Sequence, residues 1–152
     1  WINMENFFKL EIKALIENIP CVRVAITSFV SNLSITVDEL MDIKTAVSEA
    51  VTNAIEHGYY NILTDKSTVI INGYYICDEY DKVKIEVIDT GIGIDDIELA
   101  TTPAYTSKPE LEHAGMGFTI METFMDEVII DSSKGNGTII TMLKNISKKK
   151  SS

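Results

Sequence analysis

Apolar positions along the chain follow two spacings, and the switches between them outline the elements. Residues 38–58 (DELMDIKTAVSEAVTNAIEHG) place Leu40, Ile43, Val47, Ala50, Val51 and Ala54 at the 3.6-residue period of a helix with one buried face. Asp38 is expected to cap its start. Residues 22–33 (VRVAITSFVSNL) repeat that period through Val22, Ala25, Ile26, Phe29, Val30 and Leu33, which predicts a helix despite the β-branched content. A third helix is expected over residues 118–124. Strands are expected over 7–15 (FFKLEIKAL), 67–76 (STVIINGYYI), 82–88 (KVKIEVI), 126–132 and 137–143. In the third of these, Val83, Ile85 and Val87 alternate onto one face. Ser133-Lys134-Gly135-Asn136 suits the tight turn between the last two strands.

The connections read as a turn at 16–20, a link at 34–37, a loop from 59 to 66 and a charged turn at 78–81. A short helical turn is expected at 97–100. Residues 101–114 (TTPAYTSKPELEHA) hold two prolines and no sustained period, so they read as a mobile surface loop. Three helices and about five strands, mostly joined as hairpins, give an α+β two-layer sandwich. Its sheet is expected to be mixed and mostly antiparallel, with the helices on one face. No repeat or linker divides the chain, so residues 1–152 are expected to form one domain.

The other face of the 38–58 helix carries Glu49 and Asn53 one turn apart, with Thr45, Thr52 and Glu56 nearby. A carboxylate and an amide at this spacing can face one reaction centre, or simply water. Arg23 sits on the polar side of the 22–33 helix.

Composition narrows the field of partners. The formal net charge is -10. Residues 144–152 hold four lysines and no acid, so the rest of the chain carries about -14. Such a surface does not suit nucleic acid, whose phosphates need basic contacts. It suits a basic protein or a metal-bridged anion. The lysine-rich end reads as solvated and frayed, most clearly over 147–152. No apolar run reaches the roughly 18 residues of a membrane span, and no signal peptide is expected. Trp1-Ile2-Asn3 precede the first methionine and carry none of the reading. Cys21 and Cys77 match no metal spacing and are expected to be reduced and partly buried.

Two glycine motifs add candidate chemistry. Asp89-Thr90-Gly91-Ile92-Gly93 ends a strand. A carboxylate there can read an amino group, and Gly91 and Gly93 would let backbone approach a ligand; strand ends also turn on Asp and Gly for no other reason. Gly115-Met116-Gly117 at a helix start can offer N–H groups to phosphate. It is neither a Rossmann nor a Walker loop, because the third glycine and the Gly-Lys-Ser/Thr are missing.

Taken in order, the Glu49/Asn53 helix, the DTGIG strand end, the 101–114 loop, the GMG helix start and Gly137-Thr138 resemble the GHKL ATPase superfamily. VSEAVTNAIEHGY, TSKPELEHAGMGFTIMETFMD and IDSSKGNGT resemble one branch in particular, the anti-sigma-F serine kinases of spore-forming bacteria. That resemblance spans about residues 11–146. It implies binding of ATP and Mg²⁺. Asn53 would hold the metal, and Glu49 would be the general base. Asp89, with Thr138 and a water, would read the adenine amino group. The 101–114 loop would be a lid with Thr106, Ser107 and Lys108 near the phosphates, and Gly115, Met116 and Gly117 would contribute backbone there.

The resemblance further implies a cytoplasmic homodimer formed around residues 7–33. It would hold a sporulation sigma factor and phosphorylate a serine of an anti-anti-sigma partner, with Arg23, Glu112 and His113 at partner contacts. His113-Ala114 depart from the family's Arg-Ser, which weakens the roles carried to 113. Thr90 stands where the family often has an acid, and His57 reads as a helix-end residue with no phosphoacceptor role. A stress-response switch kinase, and an ATP-binding module that holds a partner without phosphotransfer, are the alternatives.

Overall fold

A computed structural model describes residues 4–59, 64, 66–94 and 117–146. Five strands, β1 (Met4–Lys13), β2 (Thr68–Cys77), β3 (Asp81–Asp89), β4 (Glu127–Ser132) and β5 (Thr138–Ile146), form one sheet in the order β1-β2-β3-β5-β4. Every pairing among them is antiparallel, so the expected mixed character is absent from the described strands. β1 and β2 are not a hairpin. They pair with Leu10 opposite Ile71 although two helices lie between them in the chain.

Among the described residues three helices cover one face: α1 (Ile19–Val30), α2 (Val37–Asn53) and α3 (Gly117–Phe124). The alternation of β3 is visible in its burial, with Val83, Ile85 and Val87 under the helices. They meet Ile43, Val47, Ala50 and Val51 of α2 in one core, as the sequence period predicts. Phe29 of α1 is a bridge to the sheet, its ring centroid 4.7 Å from those of both Phe8 and Tyr75.

Several boundaries differ from expectation for local reasons. α1 begins at Ile19, after a 3₁₀ turn at Ile16–Asn18, because Pro20 is tolerated in a first helical turn where no N–H is needed. Asp38 does not cap α2. Thr36 does: its side chain accepts from Glu39 N–H while the Glu39 carboxylate accepts from Thr36 N–H, a reciprocal capping box. Lys144 is not part of a frayed end. It lies in β5, and its Nζ donates to the Phe124 carbonyl oxygen at 2.7 Å and to Asp42 Oδ2 at 3.3 Å. Both cysteines are free, but Cys21 is exposed on α1 and only Cys77 is partly buried. The expected turn at 97–100, the loop at 101–114 and the end at 147–152 lie outside the described residues.

Candidate functional site

The 38–58 helix is not one regular helix. After Asn53 it widens into a π-helical turn, Ala54–Gly58, before the chain leaves at Tyr59. Wider turns of this kind recur at functional sites because they re-aim the backbone that follows. Here the Gly58 carbonyl is delivered to the DTGIG turn, where it accepts Ile92 N–H at 2.7 Å. Upstream on α2, Glu49 and Asn53 are both half-buried and one turn apart, as their spacing requires.

Asp89 is the last residue of β3 and faces Thr138, the first of β5, across the ladder. Both are buried, at 5% and 4% exposure. Asp89 Oδ1 accepts Gly91 N–H at 2.9 Å. Burial nevertheless raises its pKa from 3.8 to about 6, because desolvation outweighs the lowering by the Gly91 and Thr138 backbone N–H groups.

Glycines make the approach possible. A Cβ on Gly58 would lie 2.8 Å from Asp89 Oδ1, so only glycine lets the end of the π-helical turn pack this closely against the carboxylate. A Cβ on Gly91 would lie 1.8 Å from the Gly58 carbonyl oxygen. Gly93 has φ +76°, and its Cβ would meet the Ser133 carbonyl oxygen at 1.9 Å. The β4–β5 turn is tied to the same place by Gly135 N–H donating to the Ile92 carbonyl at 2.6 Å.

The predicted residues Asp89, Gly91, Gly93 and Thr138 are thus brought together at one end of the sheet, beside the end of α2. Gly117 opens α3 as expected. Thr106, Ser107, Lys108, Glu112, His113, Gly115 and Met116 lie outside the described residues. Arg23 is exposed on α1.

Three residues of the site were not singled out from the sequence. Gly58 was read as a helix end. Tyr59, buried, accepts Thr90 N–H at 3.0 Å and donates to the Thr68 carbonyl at 2.5 Å, anchoring the turn from below. Ser132 holds the Ile94 N–H at 2.9 Å. The Gly-Tyr pair after the helix was the available signal for the first two; Ser132 had none.

A buried carboxylate flanked by glycine backbone, with polar residues along an adjoining helix, makes a candidate site for a ligand bearing a hydrogen-bond donor. The family described as "Histidine kinase-like ATPase domain" matches residues 12–144. An anti-sigma F factor of Clostridium perfringens is 52% identical over 143 residues, covering 94% of this chain and 99% of that protein. One from Bacillus velezensis is 49% identical over 147 residues, covering 97% of each. The crystal structure of the RsbU and RsbW domains of Rv1364c from Mycobacterium tuberculosis shares the fold, with a TM-score of 0.58 at 21% identity. It covers 93% of this chain and 33% of that one. The chain is therefore of the histidine kinase-like ATPase class, an ATP-binding domain, and within that class it belongs to the anti-sigma F factor family.

The residues present fit such a nucleotide. Asp89 is a buried acceptor flanked by glycine backbone, which suits the exocyclic amino group of adenine. Among the described residues no three His, Cys, Asp or Glu side chains gather as a metal site. A Mg²⁺ carried by phosphates needs no such group, since one or two protein oxygens suffice.

Proposed function

We propose that this chain is an anti-sigma factor of the sporulation type that also acts as an ATP-dependent protein serine kinase. It would hold a sigma factor and phosphorylate a serine on an anti-anti-sigma protein. The observation that carries this reading is that Glu49 and Asn53 lie one turn apart on α2, whose π-helical end packs against the turn after Asp89. Asn53 offers an amide oxygen to Mg²⁺, which would neutralise phosphate charge. Glu49, one turn earlier, would take the proton of an incoming serine hydroxyl as that oxygen bonds to the γ-phosphorus and ADP leaves. A module that only held partners would have no use for a base at position 49.

Residues 101–117 supply the lid and the phosphate contacts in this reading, through Thr106, Ser107, Lys108, Gly115, Met116 and Gly117. Arg23 is exposed on α1 and available to a partner; Glu112 and His113 would face partners from the lid. A homodimer through β1 and α1 is supported by their exposed apolar side chains, Phe7 at 76% and Val24 at 70%. Among the described strands β1 pairs only on its β2 side, which leaves an edge for such an association. No helix among the described residues is long and apolar enough to cross a membrane. A cytoplasmic location belongs to the same reading.

The test uses purified protein, radiolabelled ATP and a candidate anti-anti-sigma protein. Serine labelling is expected with the native chain and is abolished by Glu49→Gln, with ATP binding largely spared. Absence of labelling while sigma-factor binding persists would leave a partner-holding module instead. Labelling by Glu49→Gln at the normal rate would remove the base assignment alone.

A further inference from the structure

Ser132 ends β4 with three polar neighbours around one hydroxyl. Ile94 N–H donates to its Oγ at 2.9 Å. The Gly137 carbonyl oxygen lies 2.8 Å from it and accepts its proton. Thr138 Oγ1 lies 2.7 Å away.

A serine hydroxyl has one proton and two lone pairs. The Gly137 carbonyl can only accept, so the Ser132 proton belongs on that bond. Were it turned to Thr138 instead, two oxygens 2.8 Å apart would face each other with no proton between them. The short contact with Thr138 is therefore made with the threonine's own proton. Thr138 in turn has only one, and Ser132 takes it. What Thr138 keeps for a ligand is lone pairs. Asp89, its partner across the β3–β5 ladder, is an acceptor as well when ionised.

We infer that Ser132 is a positioning residue for base specificity. By fixing Thr138 as an acceptor it makes the base end of the site a matched pair of acceptors, Asp89 and Thr138. Such a pair takes a purine edge bearing an amino group and rejects one bearing a carbonyl at the same position. Without Ser132 the Thr138 hydroxyl turns freely and can donate, so one of the two barriers against a carbonyl is lost. This inference rests on the reading of Asp89 and Thr138 as the adenine end of an ATP site.

The experiment is calorimetric titration of the full chain with ATP and with inosine triphosphate, which carries a carbonyl in place of the 6-amino group. The native chain is expected to prefer ATP. Ser132→Ala is expected to narrow the ATP-to-inosine preference about tenfold, the worth of one hydrogen bond reversed in polarity. Ser132→Thr keeps the hydroxyl and is expected to keep the preference. In a Thr138→Val background, Ser132→Ala is expected to change the preference no further. A purely structural Ser132 would weaken both nucleotides alike and leave the ratio untouched. An unchanged ratio in Ser132→Ala with ATP still bound overturns the inference. So does a ratio narrowed equally in Ser132→Thr. If Ser132→Ala does not fold, Ser132→Cys, a poor acceptor of similar volume, is read by the same two outcomes. A native chain that binds neither nucleotide overturns the ATP reading and this inference with it.

Discussion

The Gly58 carbonyl oxygen occupies the space a side chain at position 91 would need, 1.8 Å from the Cβ that Gly91 lacks. The contact is with backbone, so no side-chain rotation relieves it. Gly91→Ala must push the π-helical turn and the DTGIG turn apart, breaking the Ile92–Gly58 bond and opening the wall beside Asp89. Nucleotide binding is expected to fall at least about tenfold, and stability by about 1–3 kcal/mol. Calorimetric titration and denaturant unfolding measure the two effects.

Asp89 ties stability to pH in one direction and ligand binding in the other. In the folded, ligand-free chain it keeps its proton up to about pH 6, whereas unfolded it ionises near 3.8. The folded state therefore binds more protons between those values, and stability is lost as pH rises through them. The loss approaches on the order of 3 kcal/mol at neutral pH. Accepting an amino group requires the carboxylate, so ATP binding is expected to weaken as pH falls below about 6. Melting curves with and without ATP between about pH 4 and about pH 7 should diverge with rising pH. Asp89→Asn should flatten both trends.

Tyr59→Phe removes one hydroxyl and its three bonds, to the Thr68 carbonyl, the Thr90 N–H and Thr90 Oγ1. The ring stays packed while the Thr90 N–H loses its acceptor. A cost of about 1–3 kcal/mol is expected by denaturant unfolding. ATP affinity is expected to fall as well, because Thr90 lies beside Asp89 in the turn that Tyr59 supports.

Thr36→Ala removes the side-chain half of the capping box that starts α2. About 1 kcal/mol of stability is expected to go, with little change in ATP affinity, since the site stands at the opposite end of that helix. An affinity loss of tenfold or more would show that fraying at Thr36 reaches Asn53.

Elements with a long period were legible because burial wrote the period: Val83, Ile85 and Val87 had to share a face, and so had Ile43, Val47, Ala50 and Val51. The site's carboxylate and glycines were legible as well, since each has a backbone reason to be where it is. Thr36 carries its signal in the sequence. The pattern Thr36-Val-Asp-Glu39 is a capping box, and Asp38 offered a competing cap two residues later. Ser132 was not legible, and Tyr59 only as half of the Gly-Tyr pair, because Ser132 reaches Ile94 and Tyr59 reaches Thr90 across 38 and 31 residues. The π-helical turn was invisible for a similar reason. Its end residue, Gly58, bonds Ile92 across the chain, and nothing in AIEHG distinguishes it from α-helix. Lys144 looked like tail because lysines follow it, while its partners Asp42 and Phe124 lie far back in the chain.

The place of β5 in the sheet has a consequence for synthesis. This strand is the last described in the chain, yet it lies between β3 and β4. A nascent chain leaving the ribosome presents Asp89 and its glycines well before Thr138 exists to face them. Until β5 is inserted, β3 has an open edge, the Asp89 carboxylate has no opposite wall, and the site cannot close on a nucleotide. ATP affinity is thus acquired only once β5 has emerged and paired, and a ribosome stalled before residue 138 would carry a chain unable to respond to it.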